Sequence, residues 1–114
     1  MSWSVNYYTD SIGNQPVKEW IDSLEMKLQL KIFRAFELLE MFDLELKAPY
    51  VKPLKDKLYE LRVKDSAGIY RVIYFAHTGR QFIMLNGFVK KTPKTPPKEI
   101  ALAKRRMKEV LSHE

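Results

Sequence analysis

The chain has 114 residues, 46% apolar and 30% charged, which is the material of a single folded domain and not of a disordered tail. It contains no cysteine, so disulfides, zinc ribbons, iron–sulfur clusters and thiol nucleophiles are excluded, a composition suited to a reducing cytosol. No run without a formal charge exceeds nine residues, residues 81–89 being one such run, about half of a membrane span. The first five residues carry no basic region, and a cytoplasmic location without membrane attachment is expected.

The formal net charge of +6 is unevenly spread, with a net −3 over residues 1–51 and +9 over residues 52–114. A basic half on a small domain fits either an anionic partner, nucleic acid first among them, or a well-solvated lysine-rich surface.

Residues 3–9 predict a short strand, with Trp3, Val5 and Tyr7 alternating against Ser4 and Asn6. Asn14 then reads as a helix cap with Pro16 in the first turn, and Val17, Trp20, Ile21 and Leu24 follow at helical spacing. A second helix is expected over residues 25–46, with Leu28, Ile32, Ala35, Leu39 and Phe42 in one stripe that Leu38 and Met41 widen. The two helical runs fit either an antiparallel hairpin or one bent helix. Residues 47–53 read as a loop because of Pro49 and Pro53. Strands are predicted over 58–64, 69–76 and 81–89, joined by short connections rich in turn formers, hence antiparallel hairpins. The proline-rich 91–97 stretch excludes regular structure. Residues 98–113 predict a last helix, with Ile100, Ala103, Met107, Val110 and Leu111 as its apolar side. The order β-α-α-β-β-β-α gives one α+β domain over residues 1–114, an antiparallel sheet with helices on one face.

Strand alternation sorts the side chains. If Tyr59, Leu61, Val63, Tyr70, Val72, Tyr74, Ile83, Leu85 and Val89 face the helices, then Glu60, Arg62, Arg71, Asn86, Phe88 and Lys90 share the open face. A bulge at Gly87 would put Phe88 and Lys90 out of phase. Two arginines, a lysine, a carboxylate and a ring on one face can grip a phosphate and stack on a base; equally, Glu60 can simply pair with an arginine across strands.

Four motifs in order carry a family resemblance: Pro53-Leu54-Lys55; Leu58-Tyr59-Glu60-Leu61-Arg62; Tyr70-Arg71-Val72-Ile73-Tyr74; and Gly87-Phe88-Val89-Lys90-Lys91-Thr92-Pro93, with Pro97-Lys98-Glu99-Ile100-Ala101 downstream. The chain resembles the phage-derived HigB-like branch of the RelE/ParE toxin superfamily, over roughly residues 53–103 by motif and over the whole chain by element order. The resemblance implies a RelE-like fold and the toxin of a type II toxin–antitoxin system. It further implies a ribosome-dependent messenger RNA endoribonuclease without metal or cofactor, in which a 2′-hydroxyl attacks the adjacent phosphate. The superfamily also holds gyrase poisons of the ParE type, and a decayed RNA-binding protein is the third alternative.

Carried over residue by residue, Arg71 matches the arginine that stabilises the phosphorane, and Arg62 a phosphate-binding position. Glu60 falls where RelE has lysine, so its carboxylate acts as base or holds Arg71. Lys90 and Lys91 match the basic pair after the last strand, as phosphate ligands or proton donors. RelE has a tyrosine soon after that pair; here the region is Thr95-Pro96-Pro97-Lys98. The expected RNA-binding set adds Lys55, Lys57, Phe88, Lys94, Arg105 and Arg106. The implied partners are the ribosome, messenger RNA and a helix-turn-helix antitoxin of HigA type. His77 reads as a turn residue, and His113 as a chain end able to fold back as an acid; with no cysteine and two separated histidines there is no metal-ligand spacing.

Overall fold

A computed structural model describes residues 2–90 and 92–113. The chain runs β1 (Ser4–Tyr7), α1 (Pro16–Asp22), α2 (Met26–Phe42), a 3-10 turn (Asp43–Glu45), β2 (Val51–Pro53), β3 (Tyr59–Asp65), β4 (Gly68–His77), β5 (Gln81–Lys90) and α3 (Pro97–Ser112). The strands form one sheet in the order β1-β5-β4-β3-β2. Every pairing is antiparallel except β1 with β5, which is parallel and makes the sheet mixed. The α+β class and its RelE-like element order are therefore present.

Local chemistry explains where the boundaries move. The cap of α1 is Gln15, not Asn14, because Asp10 draws Asn14 into a preceding turn: the Asp10 carboxylate accepts the Asn14 backbone N–H at 2.8 Å. The Gln15 N–H is taken by the Glu19 carboxylate at 3.0 Å, which reaches back from one turn into the helix. The two helical runs are separate helices, and α2 stops at Phe42 because Asp43 adopts a positive φ of 45°. Phe42 at that end is exposed, Met41 lies on the outer side of the helix, and Phe36 completes the buried stripe. Within the expected loop lies the short strand β2, an edge strand whose proline needs no ladder donor.

Two apolar layers sandwich the sheet. On one face α1 and α2 bury Val17, Ile21, Leu28, Ile32 and Leu39 against Leu61, Val72, Tyr74, Phe82 and Met84. Each fully buried aliphatic side chain here contributes about 1.5–3 kcal/mol relative to exposure. On the other face α3 sets Ile100, Ala103, Met107 and Val110 against Leu58, Ile73, Phe75, Ile83, Leu85 and Phe88. The helix-covered face is thus built by α1 and α2, while α3 crosses to the opposite side and narrows what alternation alone leaves open.

A bulge decides which β5 residues look which way. Ile73 pairs with Asn86, but Tyr74 pairs with Met84, so Leu85 is the extra residue. Before the bulge, Phe82 and Met84 face α1 and α2, and Ile83 and Leu85 face α3, opposite to the simple alternation. After it, Asn86, Phe88 and Lys90 fall on the Arg71 side as alternation expects, because the bulge lies at Leu85 and not at Gly87. Three polar ties then fasten α3: Tyr8 donates to Glu109 at 2.6 Å, Asn86 to Glu99 at 2.9 Å, and Arg106 to the Leu85 carbonyl at 2.9 Å.

Gly87 is required for a steric reason, since a Cβ there would lie 2.3 Å from the Trp20 ring. Gly87→Ala is expected to lower stability by about 1–3 kcal/mol in a denaturant titration, the usual range for overpacking.

Candidate functional site

The cationic residues of the central hairpin converge around one carboxylate. Arg62 and Arg71 are direct cross-strand partners on β3 and β4, an unfavourable pairing of like charges unless an anion lies between them. Glu60, two residues before Arg62 and on the same face, is that anion. Its Oε1 accepts from Arg62 Nε at 2.9 Å, and its Oε2 lies 3.9 Å from Arg71 Nη1. Glu60 and Arg71 are both 0% exposed.

A strap formed by Thr92 to Thr95, between β5 and α3, closes over this group. The Thr95 hydroxyl donates to Glu60 Oε2 at 2.5 Å. Arg71 Nη2 donates to the Thr92 carbonyl, and Arg62 Nη2 to the Pro93 carbonyl at 3.1 Å. Main-chain oxygens thus occupy one donor of each guanidinium. Two further Arg71 nitrogens, Nε and Nη1, are buried with no hydrogen-bond partner among the described residues. Burial pushes the Arg71 guanidinium below its ordinary pKa; Glu60 opposes that shift and Arg62 adds to it. The site therefore holds two guanidinium charges against one carboxylate, an excess of buried positive charge.

Two expectations about the open face and two about the last helix are corrected. Arg71 and Glu60 lie under the strap, not in solvent. Phe88 packs in the α3-side core opposite Arg71 and presents no ring for stacking. Arg106 is half-buried, spends a donor on the carbonyl that the bulge frees, and lies 5.3 Å over the Tyr8 ring. His113 sits at the far end of α3 in a cavity with Tyr8 and Glu109, about 24 Å of helix from Thr95. In that cavity, burial and the Glu109 hydrogen bond push the Tyr8 phenol up to about 12.

The remaining candidates are exposed. Lys90 lies one same-face step beyond Phe88, pairing with Ile69. Lys55 and Lys94 line an open cavity of about 740 Å³ floored by Leu54, Pro97 and Ile100 and bordered by Thr95. Lys104 lines it too, ion-paired with Asp56. Lys57 projects from the adjoining turn with a positive φ of 67°, and Arg105 is exposed on α3. Lys91 lies outside the described residues. Among those described, no group of three or more histidine, cysteine or acidic residues could hold a metal ion, and no helix is long and apolar enough to cross a membrane.

A family model described as phage-derived protein Gp49-like (DUF891) matches residues 19–108. The chain belongs to the Gp49-like family. No curated protein matches it. The family is of the RelE toxin type and is associated with the toxins of toxin–antitoxin systems, so this Gp49-like chain is toxin-like and has an antitoxin partner implied. The matched span contains the whole Glu60–Arg62–Arg71 group and its strap. Thr95 is the member that the strand pattern could not announce, because its role comes from a loop folding back over the sheet.

Two substitutions in the Gp49-like site should separate charge from packing. Glu60→Ala strands a buried guanidinium and is expected to cost about 3–5 kcal/mol, whereas Thr95→Val removes one hydrogen bond to a carboxylate and costs about 1.5–3 kcal/mol. Urea titration of both purified variants checks the order.

Proposed function

We propose that this toxin-like chain is an endoribonuclease that cuts messenger RNA on the ribosome through 2′-hydroxyl attack on the adjacent phosphate. The supporting observation is Arg71: a fully buried guanidinium with two nitrogens that have no hydrogen-bond partner among the described residues, beside a second arginine and one carboxylate. Such a charge is costly to bury for structural ends alone, and its geometry suits an anion that arrives later.

In this reading the strap is displaced as RNA enters. One movement then frees Glu60 Oε2 from Thr95, Arg71 Nη2 from Thr92 and Arg62 Nη2 from Pro93. The 2′-hydroxyl proton passes to Glu60 as the 2′-oxygen bonds to phosphorus. Arg71 and Arg62 hold the charge that builds on the phosphorane oxygens. The bond to the 5′-oxygen breaks, that oxygen takes a proton from the Lys90 ammonium, and a 2′,3′-cyclic phosphate and a 5′-hydroxyl remain. Lys55 and Lys94 flank the cavity beside the strap as backbone ligands, and Lys57, Arg105 and the basic Lys91 extend the phosphate contacts toward ribosomal RNA. No cofactor enters the scheme. A helix-turn-helix antitoxin of HigA type is the proposed neutralising partner, and the cytoplasm the proposed compartment.

A second reading has one observation in its favour. The complete burial of Glu60 and Arg71 also fits a toxin that binds a target such as gyrase without cutting RNA.

Expression should arrest growth and create new transcript ends with 5′-hydroxyls inside codons. Arg71→Gln is expected to reduce cutting by roughly 100-fold or more while the protein stays folded, since the lost group acts on the transition state. Because Arg71 is incompletely paired, the same variant should change stability by only about 1 kcal/mol, in either direction. Intact messages during arrest overturn the nuclease reading, and loss of supercoiling by purified gyrase then supports the second.

A further inference from the structure

Helix α2 is apolar on two opposite sides. Its inner side, with Leu28, Ile32, Ala35, Phe36 and Leu39, packs on the sheet. Its outer side carries Met26, Leu30, Phe33 and Met41, exposed by 67%, 60%, 37% and 69%. At 100° per residue these four fall within an arc of about 80°, along about 22 Å of helix. Large apolar groups aligned in this way on a free surface mark an interaction site.

The charges around the stripe select its occupant. Glu37 lies inside the stripe, and Lys27 and Arg34 form one flank; all three are exposed and without an ion pair among the described residues. A second copy matches this poorly. Parallel pairing would set Glu37 against Glu37, and antiparallel pairing centred on the stripe would set it over Leu30. Either way a carboxylate is desolvated without a cation.

We propose that the outer face of α2 is the docking surface for the antitoxin, taking an amphipathic helix with an apolar stripe, a cation opposite Glu37 and an acidic edge along Lys27 and Arg34. This rests on the toxin–antitoxin reading of the family. It places the neutralising contact on the helical layer, across the sheet from the Arg71 site, so that binding leaves the cationic face uncovered.

The test uses the full chain co-expressed with the product of the neighbouring reading frame. Leu30→Glu with Phe33→Glu should weaken the purified complex by roughly 30-fold or more in calorimetry, the scale of losing central apolar anchors. The toxin should then arrest growth even when that product is present. Met26→Glu with Met41→Glu, at the more exposed positions, should weaken binding too, with unchanged circular dichroism guarding against misfolding. Normal binding by both double variants overturns the docking surface while leaving the antitoxin pairing standing. A parent chain that binds no neighbouring product overturns the pairing itself. A free dimer that the substitutions dissolve assigns the stripe to a second copy and also overturns the proposal.

Discussion

One buried carboxylate organises the functional half of this molecule. Without Glu60, the Arg62–Arg71 cross-strand pair would set two positive charges face to face on adjacent strands. With it, Arg62 has an ion pair at 2.9 Å, Arg71 a more distant one at 3.9 Å, and Thr95 a hydroxyl acceptor at 2.5 Å that draws the strap down. Together with the Thr92 and Pro93 carbonyls, which accept from Arg71 and Arg62, that hydroxyl contact explains why a chain segment with Pro93, Pro96 and Pro97 has a defined path without a secondary-structure ladder. The compensation is incomplete, because two Arg71 nitrogens under the strap have no hydrogen-bond partner among the described residues. Networks left partly unsatisfied in a buried place are where structure gives way to function.

The bulge at Leu85 connects this centre to the rest of the fold. By adding one residue to β5 it turns Met84 toward α2 while keeping Asn86 and Phe88 on the Arg71 face. It also frees the Leu85 carbonyl, which Arg106 of α3 takes up, and Asn86 holds Glu99 one turn from the strap. The last helix is therefore anchored on both sides of the bulge, and its amino-terminal end delivers the strap over Glu60. Arg106, expected as an RNA ligand, thus spends a donor on anchoring α3 to the sheet.

Much of this was legible in the chain. The hairpins β3–β4 and β4–β5 follow from alternation and their turn residues, and alternation alone grouped Glu60, Arg62 and Arg71. The final helix matches its predicted span to within a residue. What alternation could not carry is tertiary. The apolar side of α3 says that it packs, not on which sheet face, so Phe88 and Arg106 were expected in solvent. Leu85 has no glycine or proline to announce its bulge, whereas Gly87, the obvious candidate, is instead explained by Trp20. The edge strand β2 pairs on one side only, so Pro53 within it and Pro49 just before it read as a loop. Asn14 had the chemistry of a cap, but Asp10 competed for its backbone.

The uneven charge of the chain also acquires a spatial meaning. The acidic half, residues 1–51, builds the α1–α2 layer together with β1, and the basic half builds β3 to β5 and α3. The Glu60–Arg62–Arg71 group and the outer apolar stripe of α2 therefore lie on opposite sides of the sheet. Sites separated in this way and sharing no partner side chains are expected to respond to substitution nearly additively. A substitution at Arg71 is thus expected to leave the α2 surface intact, and the reverse. That independence is a consequence of packing helices on both faces of a single sheet: each face is free to carry its own chemistry, and only the shared strands constrain both.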